Sequence, residues 1–238
     1  MDEVDYPQTP VEIFFILSAL AMEGVPAQTI APKFSGRFNK GVDYVGNVKQ
    51  FEIEFEQDLL VMDYAVKEFG LPSELKLSIH SGSDKFSIYP IMGKLIQKHD
   101  KGIHIKTAGT TWLEEMIGLA LADKDALKLA KKIAIESLGR LDELCAPYAT
   151  VIDINRSNLP TAETIENWTG EQFARALRHE QSDPKFNPDF RQAIHVSYKI
   201  AAEYGEEFYA ALERNREIVG AQVCNNIYSR HIVRLLED

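Results

Sequence analysis

Four short strand-like stretches, residues 27–33 (AQTIAPK), 75–80 (LKLSIH), 102–107 (GIHIKT) and 149–154 (ATVIDI), are separated by segments of helical periodicity. This alternation constrains the fold more than any other feature, because parallel strands need a crossover connection that is usually helical. After Pro160 the pattern is helical only, with a proline-containing loop at residues 183–188. The expected fold class is therefore α/β: a partial (β/α) TIM-type barrel of about four parallel strands over residues 1–160, with a helical C-terminal extension over 161–238. A closed barrel takes eight strands and typically about 250 residues. An open parallel edge is an aggregation hazard, so a homo-oligomer, or a partner or further polypeptide supplying the missing barrel half, is expected to cover it.

Local signals support the helices. Thr9-Pro10-Val11-Glu12 has the form of a capping box with proline at the first helical position. Phe51, Phe55, Leu59, Met62 and Val66 recur at helical spacing and predict a helix to about Phe69. Between these helices, residues 34–46 (FSGRFNKGVDYVG) carry three glycines and no periodicity, which reads as a long polar loop of the kind that is often functional.

Composition excludes several classes of function. A chain of 238 residues with 45% hydrophobic content can bury a core. A formal net charge of −10 opposes a nucleic-acid or anionic-membrane surface, both of which need clustered Lys and Arg. Cys145 and Cys224 lie outside any CxxC spacing, so neither a disulfide framework nor a thiolate zinc site is indicated. The acidic amino terminus lacks signal-peptide order, and the apolar run at 11–22 is too short to span a bilayer. A cytoplasmic protein acting on a small molecule is expected.

In parallel α/β folds ligands collect at the carboxyl ends of strands, and here those ends are polar. The first runs into Lys33, Arg37 and Lys40, and the second into His80-Ser81-Gly82-Ser83-Asp84-Lys85. The third holds His104 and Lys106 two residues apart, hence on one face, before Thr107-Ala108-Gly109-Thr110-Thr111. The fourth ends in Asp153 and Arg156. Neutral imidazoles are common ligands for zinc, manganese, iron or cobalt, which makes His80 and His104 metal-ligand candidates, with Asp84, Asp153 or a residue elsewhere completing the shell. Lys33 and Lys106 are candidates to bind a substrate carboxylate or act as acid or base, or else are solvated rim lysines. Ser81-Gly82-Ser83 is a turn that can approach an anion or a cap for the next helix. His179, His195 and His231 fall in the helical extension, where a structural role is expected.

The strings at residues 80–87 (HSGSDKFS), 104–115 (HIKTAGTTWLEE), 145–154 (CAPYATVIDI) and 29–44 (TIAPKFSGRFNKGVDY), with Phe190-Arg191-Gln192, resemble the tagaturonate epimerase family from about Thr9 to the end. The resemblance implies a barrel-type isomerase that uses a divalent cation (Mn, Co, Ni, Fe or Zn) to interconvert tagaturonate and fructuronate in hexuronate breakdown. By motif it makes His80 and His104 metal-ligand candidates and Lys33, in the Ala-Pro-Lys-Phe string, a candidate acid/base or substrate-binding lysine. Lys106 joins it as a catalytic candidate, and Arg37, Ser81, Ser83, Asp84, Lys85 and Thr107 are the candidates for holding the sugar acid. Members of the family are about twice this length, so a further amino-terminal half is expected to supply more strands, another metal ligand and an acid/base. The alternatives are a non-catalytic sugar-acid binding subunit and another metal-dependent sugar isomerase or aldolase.

Overall fold

The structure, a computed structural model, describes residues 4–79 and 82–236. His80 and Ser81, a metal-ligand and a substrate-binding candidate, lie outside the described residues. The chain divides into two compact units: Met1–Phe38 with Asp43–Lys106 and Ile232–Asp238, and Asn39–Val42 with Thr107–His231.

The first unit carries the sheet. Helix α1 (Pro10–Met22) starts on the expected capping box: Thr9 Oγ1 accepts the Glu12 N–H at 3.3 Å, and Glu12 Oε2 accepts the Thr9 N–H at 2.7 Å. Strand β1 (Thr29–Ile30) is cut short by Pro32, which has no N–H for a ladder. Helix α2 (Val48–Phe69) is capped by Asn47 and ends on left-handed Gly70. Strand β2 (Lys76–Ile79), helix α3 (Tyr89–Lys98) and strand β3 (Ile103–Ile105) complete a three-stranded parallel sheet in the order β1-β2-β3. Of the helical stripe read from sequence, Phe51, Phe55, Leu59 and Met62 are fully or almost fully buried in one core with Ile13, Leu17, Leu77 and Ile79, and Val66 packs against it partly buried.

The second unit is helical: α4 (Ala108–Leu121), α5 (Lys124–Gly139), α6 (Leu141–Cys145), α7 (Ala162–Asn167), α8 (Gly170–Leu177), α9 (Pro188–His195), α10 (Tyr198–Tyr204), α11 (Glu206–Arg214) and α12 (Arg216–Cys224). Helix α4 is its centre, packing on α5, α8, α9 and α12. The Trp112 indole N–H donates to the Ile194 carbonyl at 2.8 Å. The π-helical turn at Asn225–Ile232 follows α12.

The expectation of a partial TIM-type barrel with about four parallel strands is overturned. The described residues are mostly helical, and the sheet has three strands and is not closed. The fourth expected strand, residues 149–154, is irregular, and the backbone groups of Val151 and Asp153 find partners without a ladder. Asp153 N–H donates to Gln192 Oε1 at 2.9 Å and Gln192 Nε2 donates back to the Asp153 carbonyl at 3.1 Å. Val151 N–H closes a turn on Tyr148, and its carbonyl accepts the Lys40 N–H. A side-chain amide from α9 thus replaces a neighbouring strand.

Candidate functional site

His104 sits on edge strand β3 directly opposite Ser78 of β2. Ser78 is buried and His104 exposed, and the Ser78 hydroxyl lies 2.9 Å from His104 Nδ1. With the proton on Nδ1 donated to Ser78, Nε2 presents its lone pair outward. Metal-binding histidines have this arrangement, the other ring nitrogen being held by a neighbouring oxygen. In that tautomer His104 fits one ligand position. Among the described residues no group of three His, Cys, Asp or Glu side chains stands close enough to hold a cation, so the fit extends to one ligand and not to a shell.

Lys106, just past β3, is exposed. Lys33 lies in the loop after β1 and is half-buried. Its ammonium donates to the Val4 carbonyl and its backbone N–H to Gln8 Oε1 at 2.6 Å. Arg37 is exposed, and its backbone pairs antiparallel with Val45. This pairing closes the glycine-containing loop around Tyr44. A Cβ on Gly36, which has φ +89°, would come within 2.5 Å of the Tyr44 ring, so only glycine fits there. The Tyr44 hydroxyl donates to the Ser35 carbonyl at 3.0 Å, and the Ser35 N–H donates to Glu54 at 2.8 Å. Burial raises the Tyr44 pKa. Asp43 accepts the Ser87 hydroxyl at 2.9 Å. The loop that sequence left irregular is tied down along its length.

Beyond β2 the chain turns inward. Ser83, Asp84 and Lys85 are buried, the last two completely, and Asp84 has a left-handed φ of 61°. Lys85 Nζ donates to the Ser83 carbonyl at 3.2 Å, and the Tyr89 hydroxyl donates to the Gly82 carbonyl at 2.6 Å. Burial first and the Asp84 charge second drive the Tyr89 pKa well upward. Buried charge and a strained backbone at a strand's carboxyl end are features of functional sites. These residues are built into the unit's interior, unlike the rim position expected of a simple substrate contact.

Thr107 opens α4 in the second unit. Its carbonyl accepts the N–H groups of Thr110 and Thr111, both at 2.9 Å, and its hydroxyl makes no capping bond. Against the next turn lies an imidazole that sequence reading assigned to structure. A Cβ on Gly109 would collide with the His195 ring, and one on Gly41 would lie 3.1 Å from it. The glycines at 41 and 109 were the available signal, but only a fold can say what stands over them. His179 is buried against Phe186, and His231 is buried with Nδ1 2.8 Å from the Asn226 carbonyl.

The structure thus brings His104 and Ser78 together at the sheet edge, and Ser83, Asp84 and Lys85 together in one buried turn. No helix of the described residues is long and apolar enough to cross a membrane.

A family profile described as tagaturonate epimerase matches residues 1–235. A curated tagaturonate/fructuronate epimerase from Thermotoga maritima is 29% identical over 238 residues, covering 98% of this chain and 43% of the relative. The native crystal structure of a fructuronate-tagaturonate epimerase from Cohnella laeviribosi superposes with a TM-score of 0.78 at 28% identity, over 99% of this chain and 44% of that one. A glycerol complex of the same enzyme gives 0.77 at 28% identity, with 98% and 44% coverage. The chain spans less than half the length of these relatives.

Proposed function

The chain belongs to the tagaturonate epimerase family, and on that premise we propose that it supplies part of an enzyme interconverting tagaturonate and fructuronate. The observation carrying this reading is the profile match over residues 1–235, together with 28–29% identity along nearly the whole chain to proteins named for that activity.

The two sugar acids differ at a hydroxyl-bearing carbon β to the ketone. Removing the proton on that carbon gives no enolate stabilised by the carbonyl, so enolisation alone does not epimerise it. Retro-aldol cleavage does. A base takes the β-hydroxyl proton, the oxygen's electrons form an aldehyde, and the broken carbon–carbon bond leaves its pair in an enediolate. The aldehyde turns over, the enediolate carbon attacks its other face, and the proton returns to the new alkoxide. Lys106 and Lys33 are the candidates to take and return that proton. Lys106 is the exposed one, while the Lys33 ammonium is engaged by the Val4 carbonyl. Exposed Arg37 fits the substrate carboxylate by charge. Asp84, Lys85 and Ser83 shape the turn after β2, and Thr107 opens α4 with an uncommitted hydroxyl. A divalent cation held by His104, with His80 as a second imidazole, would supply Lewis acidity to the ketone.

The test is elemental analysis of the chain after equilibration with manganese, cobalt, nickel or zinc, with a parallel chromatographic assay for fructuronate formed from tagaturonate. Metal lost on His104→Ala, with conversion in the unaltered chain, supports the proposal; equal metal in the His104→Ala variant sinks the ligand assignment. Incorporation of an added labelled aldehyde into product tests the cleavage step. A second reading, a sugar-acid binding part without turnover, is favoured by the 43–44% coverage of relatives and predicts saturable binding of tagaturonate with no product.

A further inference from the structure

Helix α1 is apolar around its circumference. Its sequence, PVEIFFILSALAM, has one charged residue, Glu12, which is used on the cap at Thr9, and no lysine or arginine. Ile13 and Leu17 are fully buried in the first unit's core, yet Val11, Phe15 and Met22 are 63%, 65% and 84% exposed. With exposed Ala19 between them these residues follow spacings of four, four and three, which place them in one stripe along the helix. The stripe continues onto α2. The Phe15 ring meets Phe14 at 5.6 Å, Phe14 meets Tyr64 at 6.1 Å, and Tyr64 and Leu60 are both about half exposed. A helix that is hydrophobic all round is normally enclosed, and a contiguous exposed apolar patch marks an interaction face.

We propose that this face of α1 and α2 seats a helix from the part of the epimerase that relatives carry beyond the matched region, whether that part lies on the same polypeptide or another. The inference rests on the reading of the chain as part of an epimerase. Two observations choose the occupant. The matched region is only 43% and 44% of the relatives, so more than half of a family member needs surface to pack on. The stripe also has the i±4 geometry of a ridge that enters the groove of another helix, with Ala19 small enough to admit it. A lipid surface is disfavoured, because interfacial helices place Lys or Arg on their polar face and α1 has neither.

The experiment mixes the chain with the remaining portion of the Thermotoga maritima epimerase, made as a separate polypeptide, and measures association by light scattering and titration. The expected result is a one-to-one complex whose Kd rises about tenfold or more in Phe15→Asp and in Met22→Asp. Both positions are exposed, so circular dichroism of the variants stays that of the parent; Leu60→Asp on α2 is the independent third probe. No complex, or a complex indifferent to all three variants, overturns the proposal. Self-association of the chain that Phe15→Asp abolishes also overturns it and gives the face to a second copy. Association is read separately from turnover. A complex that converts no tagaturonate leaves the face standing and counts against the enzyme reading, and conversion with unaltered affinity in the variants does the reverse.

Discussion

Arg191 in the helical unit and Asp58 in the sheet unit are buried in opposite company. In the helical unit, fully buried Arg191 donates to the Gly41 carbonyl at 2.6 Å and the Leu177 carbonyl at 2.7 Å, and its Nη2 lies 3.7 Å from Glu114 Oε1. Glu114 accepts in turn from Asn226 Nδ2 at 3.1 Å. In the sheet unit, Asp58 on α2 is buried with Glu54, a like charge, one turn away. Desolvation first and Glu54 second push its pKa up to about 7. The helical unit gives its buried Arg191 and Glu114 partners from within; the sheet unit holds buried Asp58 next to another acid and leaves an apolar helix face open.

The largest expected effect breaks the satisfied side of that comparison. Arg191→Leu leaves the Glu114 carboxylate and two carbonyls buried without their cation, which costs about 3–5 kcal/mol; urea unfolding would show it, and a loss below about 1 kcal/mol would contradict the role assigned to the network.

The sheet-unit side is tested by pH. An unfolded Asp ionises near 4, whereas Asp58 in the fold holds its proton to about 7. Between those values the folded state binds the extra proton, so stability is highest below about pH 4 as far as this group is concerned and declines as pH rises through 7. The decline amounts to at most about 4 kcal/mol. Asp58→Asn flattens the profile between about pH 4 and 7; an unchanged profile in that variant removes Asp58 as its source.

How much of this was legible in the sequence follows from range. The Thr9–Glu12 box and the stripe from Phe51 to Met62 involve neighbours three or four residues apart, and both stand in the fold as read. Strands at 76–79 and 103–105 were visible in their β-branched and alternating residues. Residues 149–154 have the same local character, but Gln192, 39 residues away from Asp153, takes the backbone bonds a ladder would have used. The candidate site divides likewise. His104 could be singled out as a strand-end imidazole. Its partner Ser78 depends on strand register, the burial of Asp84 and Lys85 depends on how the turn folds inward, and the stacking of His195 over Gly109 depends on two segments far apart in sequence.

A smaller effect sharpens the packing side of the comparison. Gly109→Ala forces the His195 ring to move and costs about 1–3 kcal/mol. Gly220→Ala, mid-helix in α12 with nothing within 4 Å of the added carbon, gains about 0.5–1 kcal/mol. Thermal unfolding of both variants measures the contrast, and equal shifts would mean His195 is loosely held. The smallest effect is Ser78→Ala, which removes one hydrogen bond and costs about 0.5–1.5 kcal/mol. It also weakens metal affinity about 10-fold or more if Ser78 orients a ligating His104. Metal titration separates the two, since a purely structural Ser78 leaves affinity untouched.

The most direct measurement is turnover by a single-chain chimera in which this sequence replaces the matching 43% of the Thermotoga maritima epimerase. Conversion of tagaturonate to fructuronate, abolished by His104→Ala and Lys106→Met, is the predicted result. A folded, metal-loaded chimera that forms no fructuronate would contradict the assignment of this chain to the working part of an epimerase.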